Sequence, residues 1–350
     1  GAKVTAEWPL KYNPSGVAVA ANGTVYVTGG VSDGVLMRLG ADGKVAAKVE
    51  TGHTPMAPVV SPDGATVYVL NRFGNSVTAV DAASMKVKAT VPVPREPYAA
   101  ALGANGKLLF VANFLPACRA TDDVVASSVS VIDTSANKVV KNVSLPNGST
   151  GVRGIGVSPD GKFIYVTHTF GRYQLPTTQL ERGWMNTAGL SVLNGVTGEY
   201  VNTALLDDVD LGAANPWGVT VTEDGKSLIV AHAGTREISV IDRESFHARL
   251  EKAAKNEKVT EVTKSASDVP NDLSFLVTIR RRVKLGGDGP RGVATVGGTV
   301  YAALYFADAL AEVKLSDAVT KPNLIALGAA VDLSKDRQRR GEMLWNDGAA

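Results

Sequence analysis

Four histidines, one cysteine and a scatter of arginines are the residues of this chain with usable side-chain chemistry. His53, His168 and His232 could each offer a ring nitrogen to a metal, but a metal site needs three or four converging ligands and no carboxylate cluster accompanies them in sequence. Cys118 stands alone, so an internal disulfide and a Cys-x-x-Cys-His haem attachment are both excluded for these residues. Apart from Arg119, nothing near it in sequence would form its thiolate, which favours an inert thiol. Arg72, Arg95, Arg153 and Arg291 carry the planar fork that accepts a carboxylate or propionate-like group in bidentate fashion. No Gly-rich phosphate loop, Ser nucleophile motif or His-x-x-x-His pair is present, and the sequence announces no enzyme.

The elements that must position these residues come from a repeat. A small residue stands seven positions before a turn glycine at Gly16/Gly23, Ala57/Gly64, Ala99/Gly106, Gly154/Gly161 and Gly218/Gly225, and a copy one residue shorter runs from Gly292 to Gly298. Ser61-Pro62-Asp63-Gly64 and Ser158-Pro159-Asp160-Gly161 are hairpin turns in which Pro presets φ and Gly takes the positive φ. Outgoing segments such as Thr66-Val67-Tyr68-Val69 and Phe163-Ile164-Tyr165-Val166 favour sheet. Third strands are expected at Val77–Asp81, Val129–Asp133, Leu190–Asn194 and Ile238–Asp242, and fourth strands at Val87–Val93 and Val139–Leu145.

Four antiparallel strands per unit, with starts 41 and 42 residues apart before insertions stretch the spacing, predict an all-β propeller. Six units are countable over residues 1–331. Lys3–Leu10 reads as one further strand, either closing the ring against the last blade or belonging to a seventh. Insertions fall at 115–127, 171–188 and 243–274, the last with a helix capped by Ser245 and running to Lys255. Residues 332–350 form a tail, helical from Asp332 to Trp345, outside the repeat.

In a propeller the loops from strand four to the next strand one, and from strand two to strand three, emerge on one face, here called the top, which commonly carries the site. That topology sends His53, His168, His232, Arg72, Arg95, Arg153, Arg291, Asn215 and Trp217 to one rim. His168 and His232 hold equivalent repeat positions, which favours hydrogen-bonded structural roles over ligation, and Asn71, Asn113 and Pro55 read equally well as turn residues.

Composition narrows the classes further. With 36 Lys and Arg against 34 Asp and Glu, the net charge of +2 offers no field that would gather nucleic acid. Arg280-Arg281-Arg282 reads as a solvated strand end. No apolar run is long enough to cross a bilayer and no secretory segment precedes the repeat, so the chain, opening on Gly1, reads as a processed piece.

The repeats resemble the YVTN-type β-propellers of bacterial periplasmic and cell-surface proteins. Non-repeat segments sharpen the likeness: Asn71-Arg72-Phe73, Arg95-Glu96-Pro97, the run from Leu175 to Thr187, Leu205–Val219 and Gly287–Gly292. They are similar to proteins in which the propeller precedes a region like the di-haem cytochrome c peroxidases, and the tail 339–347 is similar to the opening of that region. The resemblance implies c-type haem in a region beyond this chain and no cofactor within it. It also implies a periplasmic or cell-surface, non-catalytic module holding a cytochrome c-like domain or other protein partner. Arg172, Arg182, Trp184, Asn186, Asn215 and Trp217 are the leading contact candidates. Two alternatives are a metal-dependent, lactonase-like hydrolase working in the central funnel and a structural surface-layer module.

Overall fold

The computed structural model describes residues 3–103, 106–173, 185–316, 321–328, 332 and 335–347. Within them lie six four-stranded antiparallel sheets, each with its strands in sequential order. Blade 1 comprises β1 (Pro14–Val19), β2 (Val25–Gly29), β3 (Val35–Leu39) and β4 (Val45–Glu50). Blade 2 comprises β5 (Pro55–Val60), β6 (Thr66–Asn71), β7 (Ser76–Asp81) and β8 (Lys86–Pro92). Blade 3 holds β9 (Pro97–Gly103), β10 (Leu108–Asn113), β11 (Ser128–Asp133) and β12 (Lys138–Ser144). Blade 4 holds β13 (Ser149–Val157), β14 (Phe163–Gly171), β15 (Asn186–Asn194) and β16 (Tyr200–Leu205). Blade 5 is β17 (Pro216–Val221), β18 (Ser227–His232), β19 (Glu237–Asp242) and β20 (Arg280–Lys284). Blade 6 is β21 (Pro290–Val296), β22 (Thr299–Leu304), β23 (Ala309–Lys314) and β24 (Asn323–Ala326).

The first strand of each blade lies innermost, and β1, β5, β9, β13, β17 and β21 follow one another in contact around the axis. In blades 2 to 5 the second and third strands are sandwiched between neighbouring blades, so β6 is buried along its whole length and Leu70 and Val77 pack with Leu109 and Val111 of blade 3. Burial of such runs on both faces is the main stabilising term of stacked sheets. In blade 6 burial alternates: Val300, Ala302 and Leu304 of β22 are buried, with blade 5 residues such as Ile229 and Ala231 in the same cluster, while Thr299, Tyr301 and Ala303 are half-exposed.

The small residue that recurs in the innermost strand has a packing cause. A Cβ added at Gly154 would stand 1.9 Å from the Trp217 carbonyl oxygen, and one at Gly218 would stand 2.4 Å from that of Arg291. Inner strands of adjacent blades come too close there for any side chain.

Three expectations are corrected. Residues 3–10 form no strand; Pro9 has no N–H for a ladder, and Leu10 and Tyr12 instead cover Val27 and Met37 of blade 1. The segment 171–188 is not wholly an insertion, because β14 and β15 continue pairing through Phe170–Thr187 and Gly171–Asn186. Helix α1 (Arg243–Ala254) is capped by Asp242, whose carboxylate accepts the Ser245 N–H at 2.7 Å, so the last residue of β19 also starts the helix. Its Phe246, Leu250 and Ala253 are buried with Val269, Phe275 and Leu276. Helix α2 (Arg337–Asn346) is capped by Asp336 and buries no side chain. Among the described residues no helix is long and apolar enough to cross a membrane.

Candidate binding site

The top of the ring is built by one backbone device used repeatedly. Thr54, Glu96, Asn215 and Gly289 adopt left-handed φ values of 52°, 56°, 53° and 66°, and each is followed by a proline that opens an inner strand. Their carbonyls accept the N–H groups of Arg72, Phe114, Ala233 and Tyr305 at 3.1, 2.8, 2.9 and 3.0 Å. Those four residues follow directly on the second strands of their blades. A register shift then interrupts the inner strand, at Tyr98 in β9, between Thr150 and Gly154 in β13, after Pro216 in β17 and after Pro290 in β21. Such bulges re-aim side chains. Here they present Tyr98, Arg153, Trp217 and Arg291 at the mouth of the axial opening.

These side chains alternate cation and ring across five blades. The Arg72 guanidinium lies 4.8 Å from the ring centre of Phe73 and 5.1 Å from those of both Tyr98 and Phe114. Arg153 lies 5.1 Å from Phe114 and 4.7 Å from Trp217. Arg291 lies 4.4 Å from Trp217 and 3.5 Å from Tyr305, and Arg339 of α2 is 5.5 Å from Tyr305. Tyr98 and Phe114 stack at 5.2 Å. Contacts of this kind contribute about 0.5–2 kcal/mol each as they lose water.

Three of the four cations have carboxylate partners. Arg72 donates to Glu96 through Nε and Nη2 at 3.1 and 2.9 Å, Arg291 pairs with Glu342 of α2 at 2.9 Å, and Arg339 pairs with Asp308 at 2.8 Å. Arg153 has no carboxylate within ion-pair distance among the described residues and donates only a long bond, 3.4 Å, to the Gly151 carbonyl. Burial lowers its pKa, and the like charges of Arg291 and Arg72 act in the same direction. Burial raises the pKa of Tyr98 against the pull of Arg72, Arg153 and Arg291, so its phenol stays a neutral donor.

The remaining sequence-derived candidates are placed as follows. His168 lies within β14 and His232 ends β18; both are fully buried and bond through Nε2 to Ser191 and Ser239 Oγ at 2.8 Å. Asn71 and Asn113 do the same work in blades 2 and 3, donating to Thr78 and Ser130 at 2.8 and 3.0 Å. Burial pushes His168 down to about 4 and His232 to about 3, so both are neutral inside their blades and neither reaches the rim surface. Arg172 stacks 4.3 Å from Phe170 and donates to Asn271 and the Pro270 carbonyl, which ties blade 4 to the long insertion. Asn186 and Asn215 line a cleft of about 360 Å³ with Thr169 and Asp207, and Asn215 also donates to the Asn346 carbonyl at 2.9 Å. Arg95 is exposed and His53 accompanies Phe73 at 5.7 Å. Arg182 and Trp184 lie outside the described residues.

Tyr98 is the ring member sequence reasoning missed. The signal was the register it shares with Trp217 and Arg291, one place after the proline that opens the strand. Arg280 and Arg282 correct the reading of a solvated basic run: their side chains are 3% and 10% exposed, paired with Asp208 and Glu237. Alternate residues of β20 share one face, and that face covers the two carboxylates. Among the described residues no three His, Cys, Asp or Glu side chains gather to hold a metal ion.

The fold defines the class: an all-β, six-bladed propeller of four-stranded antiparallel blades. Among solved structures it is similar to Kuenenia stuttgartiensis hydrazine synthase, with a TM-score of 0.58 and 22% identity over 90% of this chain and 99% of that one. It is also similar to the β-propeller domain of Myceliophteria thermophila Cps50 (Swd1), with a TM-score of 0.60 and 15% identity over 93% of this chain and 89% of that one. In sequence the chain is 30% identical over 115 residues to hydrazine synthase subunit beta of Kuenenia stuttgartiensis. That stretch is 33% of this chain and 30% of the subunit. No protein-family model matches the chain.

Proposed function

We propose that this chain is a non-catalytic propeller module that docks a protein partner on its top face. The observation that carries this reading is the placement of exposed aromatic side chains. Phe73, Tyr173 and Tyr305 stand in loops between second and third strands and are 52%, 59% and 42% exposed. Trp345 stands on α2, which crosses the same face, and is 88% exposed. Aromatic side chains ringed by arginine and polar loops are the composition from which interface cores are made, and large apolar residues gathered on one face mark interaction sites. The likeness to a protein named as a subunit supports a place in a larger assembly.

The partner proposed is a cytochrome c-like domain carrying c-type haem, and the location periplasmic or cell-surface. Support for both, and for the YVTN type, comes from the segments at 71–73, 95–97, 205–219 and 287–292 and from the 339–347 tail. The experiment is a calorimetric titration of the chain with a purified c-type cytochrome domain, for the native sequence and for Phe73→Ser and Trp345→Ser. Loss of a docked aromatic weakens binding by about tenfold or more. Equal affinity for all three proteins, or no binding to any, rejects the docking reading.

A further inference from the structure

We infer that the mouth of the axial opening, around Arg153, is a binding site for a small carboxylate. This goes beyond the docking reading and does not depend on it, because the site is complete within this chain.

An unbalanced charge is held at this place. Arg153 is half-buried, between Phe114 at 5.1 Å and Trp217 at 4.7 Å. The two rings pack against the guanidinium and take it partly out of water, which leaves its N–H groups to find polar partners. One long bond, 3.4 Å to the Gly151 carbonyl, accounts for one of its five donors. A cation taken partly out of water is costly unless an anion compensates it. The neighbouring arginines answer that need within the protein, Arg72 through Glu96 and Arg291 through Glu342, both at 2.9 Å. Arg153 has no such carboxylate among the described residues, and an anion from outside would complete the pattern its two neighbours already show.

The surroundings favour the same sign and shape. Arg72 and Arg291 stand near enough to Arg153 to disfavour its charge, and the neutral Tyr98 phenol stands among the three cations as a hydrogen-bond donor. An anion placed there meets a positive field and at least two kinds of donor. A planar carboxylate matches the guanidinium fork with two parallel bonds. Its source could be a free organic acid or an Asp or Glu side chain of a docked partner; the chemistry at Arg153 is the same.

The test is thermal unfolding of the purified chain in increasing sodium acetate, with sodium chloride at equal ionic strength as reference and inorganic phosphate as a second arm. A bound anion raises the midpoint in a saturable way. Acetate is expected to raise it above the chloride reference, with half-saturation shifted upward about tenfold in Arg153→Gln, equivalent to about 1.4 kcal/mol, and unchanged in Lys44→Gln, at an exposed residue outside the rim. Should Arg153→Gln fail to fold, Arg153→Lys keeps the charge and removes the fork, and is expected to bind acetate more weakly than the native chain. An acetate response equal to chloride, or one that is the same in the Arg153 variants, overturns the site; saturation by phosphate alone overturns the carboxylate assignment. Competition of acetate with the cytochrome domain identifies a partner side chain as the source, and no competition identifies a free acid. Because the thermal assay uses the chain alone, its outcome is separable from that of the docking titration.

Discussion

The Arg153 guanidinium carbon lies 4.7 Å from the centre of the Trp217 ring, and this stack joins the innermost strand of blade 4 to that of blade 5. Trp217 is also 4.4 Å from Arg291 of blade 6 and 6.3 Å from Tyr98 of blade 3, so one side chain touches members of three other blades. Truncating it opens the centre of the ring. Trp217→Ala is expected to lower stability by about 2–4 kcal/mol and Trp217→Phe by about half as much, since the half-buried indole loses part of a full core residue's contribution. Urea denaturation checks this, and an unchanged midpoint in Trp217→Ala would show that the stack carries no stability.

Buried histidines make the fold acid-sensitive in a defined window. His168 and His232 titrate near 6.5 when unfolded and are pushed down to about 4 and about 3 when folded. Between those values the unfolded chain binds more protons, so stability is full above about pH 6.5 and falls as pH drops toward the folded values. The loss at pH 5 is about 1–2 kcal/mol per histidine. Asn71 and Asn113 fill the same place in blades 2 and 3, so His168→Asn with His232→Asn should keep the fold and remove the share of this slope that the two carry, leaving that of His247, which burial also pushes down to about 4. Denaturation midpoints at pH 7 and pH 5 decide the matter.

The inner-strand glycines should divide sharply from the turn glycines. Gly154→Ala drives a methyl onto the Trp217 carbonyl, 1.9 Å away, and against the Thr167 hydroxyl at 2.5 Å. We expect a loss of at least about 3 kcal/mol or failure to fold. Gly64 has φ +70° and nothing within 4 Å of an added Cβ, so Gly64→Ala costs about 1 kcal/mol of backbone strain alone. Comparable midpoints for the two variants would contradict the close approach of blades 4 and 5.

Breaking the ion cluster of blade 5 should cost more than any surface pair. Glu237 is 1% exposed, and its carboxylate is shared by Arg282 and by Lys284 at 3.1 Å. Arg282→Met leaves the buried Glu237 with Lys284 as its one ion-pair partner and Asp208 with Arg280, with an expected loss of about 3 kcal/mol. Lys44→Met, which breaks an exposed pair with Asp42 at 3.5 Å, should cost less than about 1 kcal/mol. The two are compared by chemical denaturation at pH 7.

The repeat was legible because its cause is local. Ser61-Pro62-Asp63-Gly64 closes a hairpin by its own chemistry, with Asp63 accepting the Ala65 N–H at 3.0 Å, and the apolar alternation on either side needs no distant partner. The rim was legible in part, since topology alone sends Arg153, Trp217 and Arg291 to one end of the inner strands. What could not be read is set by tertiary contact. Arg280 and Arg282 look like a solvated run until Asp208, some 70 residues earlier, is brought beneath them. Tyr98 looks like a strand residue until a bulge turns it to the mouth. Segment 3–10 has the apolar content of a strand, but a strand is defined by its partner, and this one packs side chains instead.

Helix α2 is held by polar latches, and this makes its docking adjustable. Its ten residues bury no side chain, and a helix of that length has little stability in water by itself. Its contacts to the propeller include Glu342 to Arg291, Asp347 to Arg236, Arg339 to Asp308 and to the Tyr305 carbonyl, and the Asn346 carbonyl to Asn215. The Asp347 side chain is 4% exposed whereas Glu342 is 42% exposed, so screening affects the Glu342 latch far more. Asp347→Asn is expected to raise amide exchange across residues 337–346 strongly at any salt concentration. Glu342→Gln should raise it modestly at low salt and hardly at all at high salt, where the native pair is already weakened. Exchange unchanged in both variants would mean that α2 is held by contacts other than these pairs, and the top face would then present Trp345 from a rigid rather than a releasable support.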